Sequence, residues 1–305
     1  MSVSEAHREL KRSLGGDVRR GEVMARHTTF RIGGPARYFV TCNTLSDLAG
    51  ALHVVELTDL ESVVIGRGSN LLVADAGWPG VVIVLGRDFR KHTVDDTHLH
   101  AGAGAVLAAL VQEAYSKGLS GLEFAVGIPG TLGGALVMNA GSREQWIGSI
   151  VESVTLFEPG SGLVKVRGPE VTWSYRRSSL AERGIIVEAV LKVAEADRDT
   201  IRFGMDGSLR RRRRTQPIGA ACAGSVFVNP EGDSAGRLIE AAGLKGTRIG
   251  GARVSEVHAN FIVNERDARA EDVVALVRLI MSTVKDRHGV ELKPEIRFLG
   301  AFEES

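Results

Sequence analysis

Glycine-rich segments that follow short apolar runs constrain this sequence more than any other feature. The longest is GLEFAVGIPGTLGGALVMNAG at residues 121–141, and a shorter one, GRGSNLLV, occupies residues 66–73. The chain has 37 glycines but only 8 prolines in 305 residues, so glycine is enriched without the proline of a low-complexity linker. Glycine lets the main chain approach a ligand closely. These segments therefore predict main-chain surfaces without side chains, which a bound molecule can contact closely.

The rest of the composition is that of a globular protein. Hydrophobic residues make up 44% of the chain and charged residues 25%, which excludes disordered, fibrous and disulfide-scaffold classes. The net charge of +1 argues against bulk electrostatic binding to nucleic acid or membrane. The N-terminus has no apolar signal stretch, and no run of about 18 apolar residues occurs. We therefore expect a cytoplasmic protein.

The two cysteines, Cys42 and Cys222, have no CxxC partner and no Cys/His cluster beside them in the sequence. They cannot form a disulfide framework, and the sequence predicts no metal site. Without a histidine and carboxylate pattern nearby, Cys222 is expected to be a buried small residue rather than a nucleophile.

Helix and strand patterns alternate along the chain, which predicts an α+β fold with more than one sheet. The predicted helices are 5–14, 45–57, 106–115, a polar helix from about 200, 234–244 and 271–289. The predicted strands are 61–66, 81–85, 99–104, 150–159, 163–168, 184–196 and 259–264. The turn Pro159–Gly162 would join two of them as a hairpin.

Neither short glycine motif is a nucleotide fingerprint by itself. GRGSNL (66–71) and GAGAVL (102–107) both lack the third glycine of the Rossmann pattern, and no Gly-Lys-Ser/Thr is present. Alone, each is more typical of a turn. Together, GRGSN and GIPGTLGGA (127–135) could surround a pyrophosphate with main-chain amides and need no lysine. Flavin adenine dinucleotide (FAD) fits those needs.

Six ordered motifs then carry a resemblance to a known family. They are TTFRIGGPA (28–36), GRGSNLL (66–72), GIPGTLGGA with MNAG (127–141), SYRRS (174–178), AGSVFVNP (223–230) and LKPEIRFLG (292–300). In this order they resemble the UDP-N-acetylenolpyruvoylglucosamine reductases, also called UDP-N-acetylmuramate dehydrogenases. Ser225 follows Arg176 by 49 residues, a spacing similar to that of the short subtype without an extra aromatic loop.

The resemblance implies an α+β fold in three parts. A two-part FAD-binding domain of the p-cresol methylhydroxylase/vanillyl-alcohol oxidase type would comprise residues 1–86 and 87–204, with a C-terminal strand at 291–305 returning to the second part. Residues 205–290 would form a separate α+β domain that binds a UDP-sugar. FAD would be non-covalent, because GRGSN lacks a histidine of the kind that tethers flavin in related oxidases.

The resemblance also implies the reaction. NADPH would be the co-substrate in an FAD-mediated reduction of UDP-N-acetylglucosamine enolpyruvate to UDP-N-acetylmuramate, a step of bacterial peptidoglycan synthesis. Hydride would pass from reduced flavin to the enol β-carbon. Ser225 would protonate the α-carbon, and Arg176 and Glu295 would stabilise the enolate. Read without the motifs, these three would be a turn serine, a surface arginine and an edge-strand glutamate.

Further site residues follow from the same motifs. The residues expected to bind FAD are Gly66, Gly68, Ser69, Asn70, Gly127, Pro129, Gly130, Thr131, Gly133, Gly134, Ala135, Asn139 and Gly141. The residues expected to contact the UDP-sugar are Tyr175, Asn229, Arg237, Glu240 and His258. The family often has a basic residue where Val228 stands, so another lysine or arginine would have to supply that charge.

Two other functions compete with this interpretation. One is a different oxidoreductase on the same flavin fold, acting on another substrate. The other is nucleic-acid binding through the run Arg210–Arg214, whose five cations could contact phosphates. No interleaved aromatic residues accompany that run, so a solvated helix or connector is favoured. The expected partners are small molecules, without nucleic acid or membrane, and the sequence leaves the oligomeric state open.

Overall fold

The computed structural model describes residues 3–14, 17–142 and 144–302. The chain divides into two compact units, each made of several segments. Unit 1 comprises Met1–Arg19, Tyr38–Gly66 and Val81–Arg211. Unit 2 comprises Arg20–Arg37, Arg67–Gly80 and Arg212–Ser305. Each unit encloses its own cluster of buried apolar side chains.

The helices are distributed over both units. In chain order they are α1 (Val3–Ser13), α2 (Leu45–Thr58), α3 (Leu107–Ser116), α4 (Leu132–Val137), α5 (Arg198–Thr215), α6 (Ala235–Ala241) and α7 (Ala270–His288).

The strands are mostly short. In chain order they are β1 (Val18–Val23), β2 (Pro35–Cys42), β3 (Ser62–Ile65), β4 (Leu71–Val73), β5 (Trp78–Leu85), β6 (His92–Asp95), β7 (His98–Gly102), β8 (Leu119–Ser120), β9 (Val151–Glu158), β10 (Gly162–Arg167), β11 (Trp173–Ser174), β12 (Arg177–Ser178), β13 (Ile185–Lys192), β14 (Ala194–Glu195), β15 (Arg248–Ile249), β16 (Ala252–Val254), β17 (Ile262–Asn264) and β18 (Arg297–Leu299).

Unit 1 is built around an antiparallel sheet of order β10-β9-β13-β7-β6. The hairpin predicted around Pro159–Gly162 is confirmed, since Gly162 pairs with Glu158 at its end. Helix α3 packs into the core through Leu107, Leu110 and Ala114, which are at most 1% exposed. Their three- and four-residue spacing places them on one helix face. A second sheet has the order β1-β2-β5-β3, in which β3 and β5 run parallel.

Unit 2 packs α6 and α7 with a small antiparallel sheet of order β15-β16-β17. Helix α7 confirms the prediction for 271–289, and Gly289 ends it in the left-handed region with φ 68°. The C-terminal strand β18 pairs in parallel with β4. The sequence predicts that this strand returns to residues 87–204. The observed partner, β4, lies within residues 1–86, and the N–H of Arg297 donates to Asn70 O beside it. Residues 303–305 of the predicted C-terminal strand lie outside the described residues.

The α+β class is confirmed, and most predicted elements lie within a few residues of the observed ones. The prediction of a strand over all of 259–264 is wrong for its first half, since β17 starts at Ile262. The N–H of Phe261 instead donates to His258 O at 3.0 Å, which closes a turn. The polar helix predicted from about 200 is observed as α5 and includes the arginine run. None of the helices in the described part of the chain combines the length and apolar composition of a bilayer span.

Two leucines of α7 test the assignment of its buried face. Leu276 is 0% exposed and Leu279 is 37% exposed. We expect Leu276→Ala to lower the free energy of unfolding by about 2–5 kcal/mol, because it leaves a cavity in unit 2. The matched Leu279→Ala should cost less than about 1 kcal/mol. Urea denaturation of both variants measures this, and equal losses would contradict the assigned face.

Candidate active site

In unit 1 the two predicted FAD loops meet at Gly66 and Thr131. Gly66 directly follows β3, and Thr131 directly precedes α4. A Cβ at Gly66 would lie 2.3 Å from Thr131 Oγ1 and 3.1 Å from its Cγ2. The approach is therefore possible only because residue 66 has no side chain. Thr131 is 9% exposed, so its hydroxyl is held in a defined place beside this glycine.

The second loop is fixed to the rest of unit 1 by main-chain hydrogen bonds. The N–H of Leu132 donates to Ala105 O at 2.9 Å, and the N–H of Gly133 donates to Ala103 O at 2.8 Å. Gly130 has φ 137°, a conformation that residues with a side chain rarely adopt. The loop is thus held in a defined conformation by neighbouring main chain.

This loop fits the pyrophosphate of a flavin nucleotide. The segment 127–141 contains no lysine or arginine, so a phosphate bound there would be held by main-chain amides and the Thr131 hydroxyl. Among the described residues, a Cβ at Gly134 would meet only Thr131 Oγ1, at 3.7 Å. The main chain there remains open to a close ligand. The residues present therefore fit FAD.

The predicted FAD residue Asn139 uses its side chain on protein groups. Its amide nitrogen donates to Ser174 O at 3.0 Å, and its amide oxygen accepts from the N–H of Gly148 at 3.1 Å. Asn139 is 7% exposed and has φ 42°. These bonds join the end of the second loop to the short hairpin formed by β11 and β12.

Arg176 lies in the two-residue turn of that hairpin. Its Nη1 donates to Gly141 O at 3.0 Å, so the guanidinium is held against the end of the second glycine-rich loop. Its φ is 60°, a left-handed conformation for a residue with a long side chain. The guanidinium also lies over the Tyr175 ring at 4.8 Å from the centroid. The neighbouring Arg177 is exposed and pairs with Glu182.

In unit 2 the main chain brings Ser225 and Glu295 close together. The N–H of Glu295 donates to Val226 O at 2.7 Å, next to Ser225 in the chain. Gly224 has φ 78° and turns the chain just before the serine. An isolated bridge between Phe227 and Pro294 continues the pairing.

The rest of the first glycine-rich loop belongs to unit 2. A Cβ at Gly68 would lie 2.4 Å from His27 O, and the N–H of Thr29 donates to Gly68 O at 3.3 Å. The amide nitrogen of Asn70 donates to Glu295 O at 3.2 Å. The sequence predicts that Asn70 binds FAD. In the structure its side-chain amide hydrogen-bonds the segment that carries Glu295.

The predicted UDP-sugar residues of unit 2 make polar contacts with other residues of that unit. Arg237 donates to Asp233 Oδ1 at 2.7 Å, and its hydrogen bonding, together with that of the Ser234 N–H, lowers the pKa of Asp233 to about 2. Glu240 accepts from Lys245 Nζ at 2.7 Å, and Asn229 Oδ1 accepts from the N–H of Ala235 at 3.0 Å.

His258 is the fourth predicted UDP-sugar residue in unit 2. Burial lowers its pKa, Lys245 lowers it further and Glu240 raises it. The Nδ1 of His258 accepts from the N–H of Asn260 at 3.1 Å. An accepting nitrogen carries no proton, which agrees with a neutral ring. The fifth residue, Tyr175, belongs to unit 1 and is 43% exposed.

Sequence reasoning missed two residues that hold the Ser225 segment. Asn260 is 3% exposed, and its amide bonds both the N–H and the carbonyl of Phe227, at 2.9 and 2.8 Å. Thr29 Oγ1 donates to Cys222 O at 2.7 Å. The motif TTFRIGGPA includes Thr29 but gives no partner for it. Asn260 gave no signal, because one asparagine in an apolar run resembles any strand residue.

Cys222 is half-buried, and desolvation raises the pKa of its thiol. A raised pKa keeps the thiol protonated, and a protonated thiol is a poor nucleophile. Among residues 3–14, 17–142 and 144–302, no group of three or more His, Cys, Asp or Glu side chains could hold a metal ion.

Two family models match the chain. One, described as the C-terminal domain of UDP-N-acetylenolpyruvoylglucosamine reductase, matches residues 216–299. The other, described as an FAD binding domain, matches residues 36–166. The two matches fall on the segments that carry the Ser225 and Thr131 motifs, respectively.

Similarity to known proteins extends over nearly the whole chain. It is 44% identical over 294 residues to the UDP-N-acetylenolpyruvoylglucosamine reductase of Heliobacterium modesticaldum, covering 96% of this chain and 94% of that protein. Identity to the Bacillus licheniformis reductase is 42%, covering 96% and 97%. The crystal structure of the Thermus caldophilus reductase matches with a TM-score of 0.81 at 40% identity, covering 93% and 99%. The predicted fold class, with its FAD-binding domain, is confirmed.

Gly66→Ala tests the close approach of the two loops. The new Cβ would overlap Thr131 Oγ1, so we expect the free energy of unfolding to fall by about 1–3 kcal/mol. Adding Thr131→Ala should restore part of it, because the nearest remaining Thr131 atom, Cβ, lies 3.3 Å away.

Gly207→Ala in α5 is the matched control, because a Cβ there meets nothing within 4 Å. It should be neutral, or stabilising by up to about 1 kcal/mol through helix propensity. Thermal and denaturant unfolding measure the stability of Gly66→Ala, of the double variant with Thr131→Ala and of Gly207→Ala. A Gly66→Ala protein as stable as the control would show that this contact does not matter.

Proposed function

The chain belongs to the UDP-N-acetylenolpyruvoylglucosamine reductase family, and we propose that it reduces UDP-N-acetylglucosamine enolpyruvate to UDP-N-acetylmuramate with NADPH. It is an oxidoreductase with an FAD-binding domain, and it serves peptidoglycan synthesis in the cytoplasm. FAD, held non-covalently by the two glycine-rich loops, would supply the transfer of hydride from NADPH to the β-carbon of the enol ether. The protein has to stabilise the resulting enolate, protonate its α-carbon and hold both substrates.

The hydrogen bond from Arg176 to Gly141 is the observation that carries this proposal. It holds a permanently charged group at the end of the loop that fits FAD. A guanidinium presents parallel N–H groups that match a carboxylate. Arg176 therefore stabilises the negative charge that spreads into the substrate carboxylate as the β-carbon accepts hydride. A group oriented before reaction needs no reorganisation during it.

Ser225 holds the proton for the α-carbon. A hydroxyl is a weak acid, so its transfer depends on orientation. Left-handed Gly224 and the hydrogen bond from Glu295 N–H to Val226 O support a fixed main chain on both sides of this serine. Glu295, half-buried beside it, acts with Arg176 on the developing enol.

The remaining predicted residues complete the proposal. Gly66, Thr131 and Gly134 would hold the FAD pyrophosphate, together with the other glycines of both loops. Asn229, Arg237, Glu240, His258 and Tyr175 would contact the UDP-sugar. Arg237 and Glu240 are exposed, so their present ion pairs with Asp233 and Lys245 are weak and can be exchanged for a ligand.

The decisive experiment follows the flavin spectrum of the purified holoenzyme. We expect bound FAD to lose its visible absorbance when NADPH is added under anaerobic conditions. The UDP-N-acetylglucosamine enolpyruvyl ether should then restore the absorbance and yield UDP-N-acetylmuramate. Protein without flavin would exclude the whole proposal. Reduction by NADPH without reoxidation by this ether would indicate another substrate on the same flavin fold.

Ser225→Ala separates the two half-reactions. We expect the reduction of FAD by NADPH to stay near the wild-type rate, because it needs no proton at the substrate α-carbon. Reoxidation by the enolpyruvyl ether should slow by about 10²- to 10⁴-fold. Stopped-flow absorbance measures both rates, with Ser282→Ala on the exposed side of α7 as control. Equal damage to both half-reactions would contradict the assigned role of Ser225.

A further inference from the structure

We propose that Asn139 is a positioning residue for Arg176, in addition to lying in a loop expected to bind FAD. The inference rests on the proposed role of Arg176. It starts from the two amide contacts of Asn139, to Ser174 O and from Gly148 N–H. Both contacts reach protein groups, so this buried side chain is oriented without any ligand.

The hairpin that carries Arg176 cannot hold its own shape. Strands β11 and β12 have two residues each and pair only as Trp173 with Ser178 and Ser174 with Arg177. Such a short hairpin is unstable alone. Its turn contains a left-handed arginine, a conformation that persists only where the surroundings impose it. The defined conformation of Arg176 must therefore be imposed by contacts from outside the hairpin.

The segment Asn139–Gly141 supplies that order at the turn end of the hairpin. Asn139 bonds Ser174 at the end of β11, and Gly141 O accepts from Arg176 at the turn. Nearby, Ser178 Oγ donates to Val137 O at 3.3 Å. Residues 137–141 thus hold the first strand through the side-chain amide of Asn139, and the turn and second strand through two main-chain carbonyls.

The contacts of Asn139 need an amide specifically. Its nitrogen must donate to the Ser174 carbonyl while its oxygen accepts from the N–H of Gly148. An aspartate at 139 could keep the second contact, but it would place a negative oxygen against the Ser174 carbonyl. We therefore expect Asn139→Asp to release β11 and move the guanidinium of Arg176. Asn139→Ser removes the reach of the side chain without adding charge, so it separates loss of the donor from gain of a charge.

Asn264→Asp is the matched control, because that amide also donates to a carbonyl, Phe30 O at 3.1 Å, and its oxygen accepts from the N–H of Ala268 at 2.9 Å. It lies in unit 2 and outside the residues proposed for the site.

The first measurement is amide hydrogen exchange in the holoenzyme, which does not depend on turnover. In both Asn139 variants we expect exchange in residues 173–178 to accelerate by about tenfold or more, while β13 keeps wild-type protection. Asn264→Asp should leave 173–178 unchanged. Unchanged exchange in this hairpin in the Asn139 variants would overturn the inference.

The second measurement compares the half-reactions. Measured per bound FAD, we expect reoxidation by the enolpyruvyl ether to slow on the order of 10²-fold and to slow more than reduction by NADPH does. In an Arg176→Lys background, Asn139→Asp should add little, because the two changes disturb one group. If the losses in reoxidation rate from Arg176→Lys and Asn139→Asp multiply in the double variant, the inference is overturned. It is also overturned if FAD content and the rates of both half-reactions fall together.

Two further outcomes are also decisive. If both Asn139 variants fail to fold or to retain FAD while Asn264→Asp retains it, Asn139 supports unit 1 as a whole and the inference is overturned. If wild-type enzyme is not reoxidised by the ether, the proposed function fails. The exchange measurement then decides alone whether Asn139 positions Arg176.

Discussion

The hydrogen bond from the Arg176 guanidinium to the Gly141 carbonyl is the interaction on which the proposed chemistry depends. Charge that develops on a substrate carboxylate is stabilised well only by a group already aimed at it. The acceptor, Gly141, has φ 153°, and a Cβ there would lie 2.4 Å from Trp146 Cα. A residue without a side chain therefore allows the loop to lie close to the main chain of residues 145–146. The orientation of the arginine follows from a close packing of main chain.

Unit 2 holds its two proposed catalytic side chains in a different way. Main-chain atoms make the bond between Glu295 and Val226, and the amides of Asn70 and Asn260 hold the flanking segments. Such bonds fix the main chain that carries Ser225 and Glu295. Positioning by main chain and by neighbouring amides supports a defined site. Asparagine suits this task, because it can donate and accept from one rigid group.

Elements defined by nearby residues were predictable. Helix α7 has its apolar face, its acidic start and Gly289 within one stretch of sequence, and the β9–β10 hairpin has its turn residues between its strands. The strand predicted from residue 259 failed in its first half. There Asn260 bonds Phe227, 33 residues away in the chain, and the local pattern contains no trace of that partner.

The sequence by itself determined the class of fold, the family and the identity of the glycine-rich loops, because periodicity and motif order are properties of consecutive residues. It also marked Arg176, Ser225 and Glu295 as candidates through their motifs. Only the tertiary structure decided what holds them. Asn139 reaches Ser174 across 35 residues, and Asn70 reaches Glu295 across 225. An amide side chain looks the same in a sequence whether it faces a ligand or a carbonyl, because its partner is chosen by packing.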